Sequence, residues 1–403
     1  MGKGSPYRLT LIVCLAEIFG LASISAFPAL LPNFLSEWGL SHTAAGWISA
    51  AYYGGYIASV PVLTGITDRI DAKKIMGIGT GLGVLSALGY ALFAQGFWSA
   101  LGLRFLSGVS LAGIYMPGLK IVSDHTEGAL QSRFVSFYTA SFSIGASLSY
   151  LMAGEIHILA GWRWAFVASA AGTAVAFAII LLYAPSGKVR SRQKRALFRD
   201  FSVVFSSRPT MAYVLGYAAH MWELFSFRAW IVAFLAFSIE LQPQGAFTWS
   251  PTQIAFFVNL IGLPASIGGN ELSRKFNRRT IIAAAMFVSA GLGAIVGFTA
   301  SLPYGLVVVL VIFYGITVTV DSASLTAGAV AAAPVGFRGS ALAVHSTIGF
   351  GSAFFGPLIV GMALDMFGGG LLAWGIGFII MGGGCLIGPF FLYHFGTDSK
   401  ESI

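Results

Sequence analysis

The chain has 403 residues, of which 57% are hydrophobic and only 9% charged, and its mean hydropathy is +0.82. A soluble fold of that length would carry far more charged surface, so lipid is its solvent and a soluble enzyme or scaffold is excluded. The formal net charge of +8 raises nucleic acid as a partner, but the charges gather at the ends of apolar stretches, which argues against one.

About 20 apolar residues cross a bilayer, and on that measure the chain holds about twelve spans. They run Leu9–Phe34, Ala44–Thr67, Ile75–Ala94, Trp98–Val122, Phe134–His157, Trp164–Ala184, Met211–Phe237, Gln253–Leu272, Thr280–Ala300, Tyr304–Ala333, Ala341–Leu364 and Leu371–Phe391. Met1-Gly2-Lys3-Gly4 shows no cleavable signal pattern, and the first span is too long for one, so it is kept as structure. With the N-terminus placed in the cytoplasm, Lys3, Arg8, Arg69, Lys73, Lys74, Lys120, Arg133, Arg274, Lys275, Arg278, Arg279, Arg338 and Lys400 share that side with the basic run from Lys188 to Arg208. Arg163 alone falls opposite. This is a positive-inside bias, and it sets both termini in the cytoplasm of a multi-pass inner-membrane protein. Cys14 and Cys385 lie inside spans and offer neither a disulfide framework nor a metal site.

Residues 186–208 form the one long polar segment and divide the spans six and six, giving bundles at 1–185 and 209–403 joined by a basic cytoplasmic linker. The halves repeat. Ser273-Arg274-Lys275 after span eight mirrors the charged turn after span two, Arg338 before span eleven mirrors Arg133 before span five, and Gly351 follows Gly145 by 206 positions.

The turn Gly65-Ile66-Thr67-Asp68-Arg69-Ile70-Asp71-Ala72-Lys73-Lys74 is the most telling motif. Asp68 is suited to a helix N-terminus, and Arg69 and Lys73 to nearby acids or phosphates. Ion pairs at such a junction break and re-form as bundles rock, so these three residues are a candidate conformational latch. The turn resembles the loop between helices 2 and 3 of the major facilitator superfamily. Gly161-Trp162-Arg163 and Arg104-x-x-x-Gly108 are also similar to that family's patterns. The resemblance implies an all-α membrane fold of twelve helices in two six-helix pseudo-repeats. It also implies a secondary transporter working by alternating access. The chain departs from the pattern in three places. Asp71-Ala72 replaces the usual Gly-Arg, Arg274 occupies the acidic position of the second half, and the Gly-Pro pair of drug–proton antiporters is absent at Gly145-Ala146. The paired-arginine pattern of nitrate porters is missing as well.

An ionisable side chain at bilayer depth costs about 2.5–3.5 kcal/mol or more and so faces a partner or a cavity. Glu17, Arg104, His220, Glu223, Arg228 and Asp321 meet that condition, with His345 nearer an end, while Glu155 and Asp365 lie where water reaches them. His220, Glu223 and Phe227 recur at helical spacing and share a face. They are either a cavity-facing proton relay, with Arg228 meeting an anionic group, or a structural network. Glu17 is a proton carrier in one reading and a packing carboxyl in the other, since a lone carboxyl in an apolar site can exchange protons near neutral pH. Arg104 either holds a substrate carboxylate or modulates proton release, as the resemblance suggests. Asp321 either lines the cavity or pairs with Arg228. Tyr52, Tyr53, Tyr56, Tyr115, Tyr138, Trp222, Phe227 and Tyr314 are candidate walls.

No phosphate-cradling loop, metal spacing or nucleophile–base arrangement stands out, so neither an enzyme nor a cofactor is expected. The sequence reading is a monomeric, proton-coupled symporter of a small organic anion, with Glu17 and Glu223 as proton carriers. Arg104, Arg228, His220, Tyr52, Tyr56, Tyr115, Trp222 and Asp321 would then be at the substrate. The alternative is proton-coupled export of hydrophobic or cationic compounds.

Overall fold

Inside a bilayer every backbone N–H and C=O must be satisfied within its own segment, which leaves helices for a chain this apolar. The computed structural model describes residues 6–67, 69–126, 128–186, 197–242 and 249–395, and among these every regular element is a helix. The first half holds α1 (Pro6–Gly20), α2 (Ala26–Ala29), α3 (Leu31–Glu37), α4 (His42–Ile66), α5 (Ala72–Phe93), α6 (Phe97–Asp124), α7 (Gly128–Ala160) and α8 (Trp162–Tyr183). There follow α9 (Leu197–Ser206), α10 (Arg208–Glu240), α11 (Pro251–Lys275), α12 (Arg278–Val296), α13 (Tyr304–Val320), α14 (Ser322–Ala332), α15 (Arg338–Met366), α16 (Leu371–Cys385) and α17 (Ile387–His394).

Ten helical stretches among the described residues are long and apolar enough to cross a membrane, with α13–α14 and α16–α17 each counted as one. The broken α1–α3 segment and the Tyr- and Gly-rich α4 complete the twelve. Three predicted spans therefore contain breaks. The first is interrupted between Gly20 and Ala26, the tenth at Asp321, which both closes α13 and opens α14, and the twelfth at Leu386. The predicted linker is not wholly irregular either. α9 lies within it and docks the half-buried Phe201 and the buried Val204 against Val214 of α10 and Ala341 and Val344 of α15.

Two compact units emerge. One comprises α1–α8 with Ile231–Ala236 and Thr248–Leu260, and the other comprises Gln193–Trp230, Phe237–Phe247 and Ile261–Ile403. In the first unit, close helix approach decides where the polar side chains go. A Cβ on Gly108 of α6 would collide with the Tyr52 carbonyl of α4, and one on Gly145 of α7 would come within 3.1 Å of the Ile18 Cα of α1. Small residues at such crossings substitute for the hydrophobic drive that lipid does not supply. At one end of this unit Phe34, Trp38, Tyr90, Trp162 and Phe166 form a continuous aromatic cluster, and Trp162 Nε1 donates to both Glu37 oxygens at 2.9 and 3.1 Å. That contact gives the Gly161-Trp162-Arg163 motif a structural task, which is to anchor α3 on α8. In the second unit Tyr213, Ile282, Met286, Leu325, Ala329, Cys385 and Leu392 make the core between α10, α12, α14, α16 and α17.

Candidate functional site

The break between α1 and α2 releases backbone carbonyls that the helix no longer uses. Those of Ala22, Ser23 and Ile24 meet side-chain donors. Ser149 Oγ and Ser169 Oγ donate to Ala22 O at 2.7 and 3.2 Å, while Arg104 Nη1 and Nη2 donate to Ser23 O and Ile24 O at 3.2 and 3.3 Å. The Ser25 N–H donates to Ser149 Oγ at 3.0 Å, and Ser25 Oγ to Ala146 O at 3.0 Å. The Arg104 guanidinium also stacks 4.3 Å from the centroid of Tyr52 and 5.8 Å from that of Phe27, and the residue is 2% exposed. Arg104 thus fastens the broken first helix, a role neither sequence reading included, because the break that creates the acceptors is invisible to apolar length. Tyr52, expected as a cavity wall, is the floor beneath this guanidinium, and Tyr53 packs edge-on against it with centroids 5.4 Å apart. Tyr56 is fully buried.

Four residues before that break lies Glu17, wholly buried. Ser141 Oγ of α7 donates to its Oε2, while among the described residues Oε1 has no hydrogen-bond partner. Tyr138 lies beside this carboxyl but donates its hydroxyl proton to the Ile114 and Tyr115 carbonyls, at 3.2 and 3.0 Å. The half-buried Tyr115 stacks on Tyr138 with centroids 5.9 Å apart. Ser141, Gly145 and Ser149 recur every four residues on α7. That small, polar stripe was the available signal for the partners of Glu17 and Ser25.

The face of α10 predicted from helical spacing is present. Its Glu223 Oε1 accepts hydrogen bonds from Ser289 Oγ of α12 and Tyr314 Oη of α13, both at 2.9 Å. One turn earlier His220 Nδ1 lies 2.8 Å from Asp321 Oδ1 at the α13–α14 break, with both side chains almost wholly buried. Of the two readings of Asp321, the structure brings it to the histidine. The column continues through Tyr217, whose ring lies 5.8 Å from His220 and stacks 3.8 Å from His345, and His345 Nε2 is 3.2 Å from Thr326 Oγ1. Tyr217 and Thr326 were not singled out from sequence. Trp222, on the other side of α10, donates to Ile380 O of α16 at 3.0 Å and joins these two helices. Arg228 is half-buried, its guanidinium 5.3 Å from the Phe225 centroid. No group of three or more His, Cys, Asp or Glu among the described residues is arranged to hold a metal ion.

Of the latch residues, Asp68 lies outside the described residues. Arg69 is exposed, and Lys73 Nζ donates to Leu181 O and Ala184 O at 3.0 and 2.7 Å, closing the C-terminus of α8. The N-cap of α5 is Asp71, which accepts from the Lys73 N–H at 3.0 Å. The departure at Asp71-Ala72 from the usual Gly-Arg therefore supplies a helix cap. Glu155, set aside in the sequence, accepts a 2.8 Å hydrogen bond from Gln253 Nε2 within the first unit.

Similarity to known proteins agrees with this architecture. The chain is 22% identical over 425 residues to the putative metabolite transport protein YyaJ of Bacillus subtilis, covering 95% of this chain and 91% of that one. It is 26% identical over 139 residues to the probable sphingolipid transporter spinster homolog 1 of Arabidopsis thaliana, covering 34% of this chain and 28% of the relative. The chain spans about half or less of the length of the spinster relatives it matches. In fold it is similar to the crystal structure of a bacterial homolog of the human lysosomal transporter Spinster, inward-facing and unoccupied (TM-score 0.76, 15% identity, 98% and 96% of the two chains). It is equally similar to a D-xylose–proton symporter (TM-score 0.77, 15% identity, 98% and 99%). With the Major Facilitator Superfamily model matching residues 13–357 on a fold of twelve membrane helices, the chain belongs to that superfamily of transporters.

Proposed function

We propose that this transporter couples proton movement to uptake of a small organic anion by alternating access, with Glu17 as the proton carrier. The observation that supports it is the half-satisfied carboxyl of Glu17, buried in an apolar helix beside a break. A carboxyl at bilayer depth with one oxygen left unsatisfied is costly to keep for packing alone, and a proton fills the vacancy. Six-helix halves at 1–185 and 209–403, joined by 186–208, rock about the solute in this reading, with Asp68 and Arg69 at the closure and Lys73 tying α5 to α8. In this reading the chain lies in an inner membrane, and the positive-inside bias supports cytoplasmic termini. Arg104 is committed to the first helix, so the anion contact falls to the half-buried Arg228, with His220 and Asp321 behind it on the same unit.

Reconstituted protein in liposomes with an entrapped pH dye tests this, using a panel of monocarboxylates, hydroxy acids and amino acids. Glu17→Gln should abolish gradient-driven accumulation of the accepted solute and spare its exchange across the membrane. Accumulation equal to the parent's removes Glu17 from the mechanism. Arg228→Lys should weaken an anionic solute about tenfold more than its neutral analogue, because an ammonium does not reproduce a bidentate fork. The Glu17 carboxyl also suits a cation, so a cationic best ligand with normal affinity in Arg228→Lys overturns the anion reading and favours the export alternative.

A further inference from the structure

The surface of the first unit carries a groove of about 620 Å³ between α5 and α8, remote in chain position from Glu17 and Arg104. Its mouth is formed by Lys73 and Lys74, and it then runs along α5 past Gly77 and Gly81 to Leu85, with Phe177 and Leu181 of α8 as the opposite wall. From Lys73 to Leu85 a helix rises about 18 Å at 1.5 Å per residue. That is close to the depth of one hydrocarbon leaflet, about half of the ~30 Å core. The floor is low because two glycines form it. A Cβ on Gly77 or Gly81 would meet only Leu181 Cδ2 at 3.8 Å or Phe177 Cε2 at 3.9 Å.

We infer that this groove is a binding site for an anionic phospholipid, with the phosphate on Lys73 and Lys74 and one acyl chain along the glycine floor. Charge complementarity carries the choice of occupant. The groove is cationic at one end only and apolar for the remainder of its length. Two bonds to the Leu181 and Ala184 carbonyls hold the Lys73 ammonium at the mouth, which leaves its third N–H for an acceptor. Lys74 is exposed beside it. A free anion would use the mouth alone, a zwitterionic lipid would gain little from it, and a helix of another chain has no need of two lysines. The lipid holds α5 against α8 and is independent of which solute the transporter carries.

The test uses delipidated full-length protein in detergent, read by thermal unfolding and by native mass spectrometry. Phosphatidylglycerol should raise the midpoint and appear as a retained adduct, whereas phosphatidylcholine with the same chains, and inorganic phosphate, should do neither. Lys74→Gln should weaken the phosphatidylglycerol response about fivefold, the effect of one lysine at an anionic surface. Gly81→Leu, whose Cβ would meet only Phe177 Cε2 at 3.9 Å, fills the floor and should remove the response. Should Gly81→Leu fail to fold, Lys74→Gln with the adduct count decides the matter. Equal stabilisation by phosphatidylcholine, a response to phosphate alone, or an unchanged phosphatidylglycerol response in Lys74→Gln overturns the assignment. So does a dimer that Gly81→Leu dissociates, since another helix then fills the groove.

Discussion

Glu17 and Glu223 lie 206 positions apart, the same offset that relates Gly145 to Gly351, so each occupies the same place in the first helix of its half. Their surroundings differ. Among the described residues Ser141 donates to Glu17 Oε2, Tyr138 lies beside the carboxyl and Oε1 has no hydrogen-bond partner, whereas a single oxygen of Glu223 takes two donors at 2.9 Å from two different helices. Repetition has preserved the acid and changed its neighbours. A carboxyl with vacant capacity is free to change its protonation and its partner, while one held by several donors joins helices together. The sequence reading gave both acids the same role; the proposed function divides it, with the proton on Glu17, while the bonds of Glu223 tie α10 to α12 and α13.

The largest expected effect follows from that division. In Glu17→Gln, proton-driven accumulation should fall to the level set by exchange alone, with little change in unfolding midpoint. In Glu223→Gln, accumulation should persist and the midpoint should drop. Liposome uptake and thermal unfolding on the same two preparations decide it. Equal loss of accumulation in both variants breaks the comparison.

Two of the three helix breaks extend the contrast. The first unit closes its break with a cation on carbonyls, Arg104 on Ser23 and Ile24. The second places an acid at its break, and Asp321 there meets His220 at 2.8 Å in a site closed to water. Removing one member of a buried polar pair leaves the other unsatisfied, at about 2–3 kcal/mol when a charged group is involved. Asp321→Leu or His220→Phe alone should therefore destabilise the protein by that amount. His220→Phe with Asp321→Leu should recover part of the loss, since both polar partners are then gone. Denaturant unfolding of the single and double variants measures the coupling. A double variant as unstable as the sum of the singles shows that the pair does not act as a unit.

Arg104→Lys is the milder test of the first break. An ammonium retains the charge over Tyr52 but does not span two successive carbonyls with a flat fork. One carbonyl is then left short of a donor, at about 1–2 kcal/mol. If Arg104 is a fastening residue, accelerated hydrogen exchange should concentrate at Leu21–Ser25, with solute affinity unchanged. A loss of affinity without that local opening returns Arg104 to the substrate.

Much of this fold was legible because it rests on long-range regularities. Apolar length, charge at the span ends and the 206-residue offset all act over whole helices. The shared face of His220, Glu223 and Phe227 was legible for the same reason, since the helical period alone sets it. The partners of those residues were not, because Ser289, Tyr314 and Asp321 come from other helices and no period links them to α10. The break after Gly20 was not legible because Leu21-Ala22-Ser23-Ile24-Ser25 has the composition of an ordinary small and apolar span, and donors on α6, α7 and α8 make its irregular backbone tolerable. The cap at Asp71 was not legible because the turn offers two aspartates, Asp68 and Asp71, and capping depends on which one stands at the helix start.

The smallest expected effect is the sharpest probe of Glu223. Tyr314 donates its hydroxyl to Glu223 Oε1 and packs its ring edge-on against Phe227, with centroids 4.8 Å apart. Tyr314→Phe keeps the ring and removes only the hydrogen bond, so the packing contribution is conserved. The loss should be about 1 kcal/mol, because Ser289 still donates to the same oxygen. If Glu223 is a tie, the ratio of protons to solute moved should be unchanged and only the unfolding midpoint should fall. If instead that ratio shifts with pH in Tyr314→Phe and not in the parent, the removed donor was holding a titrating acid. Glu223 would then share the proton with Glu17, and the two halves would be alike in chemistry as well as in position.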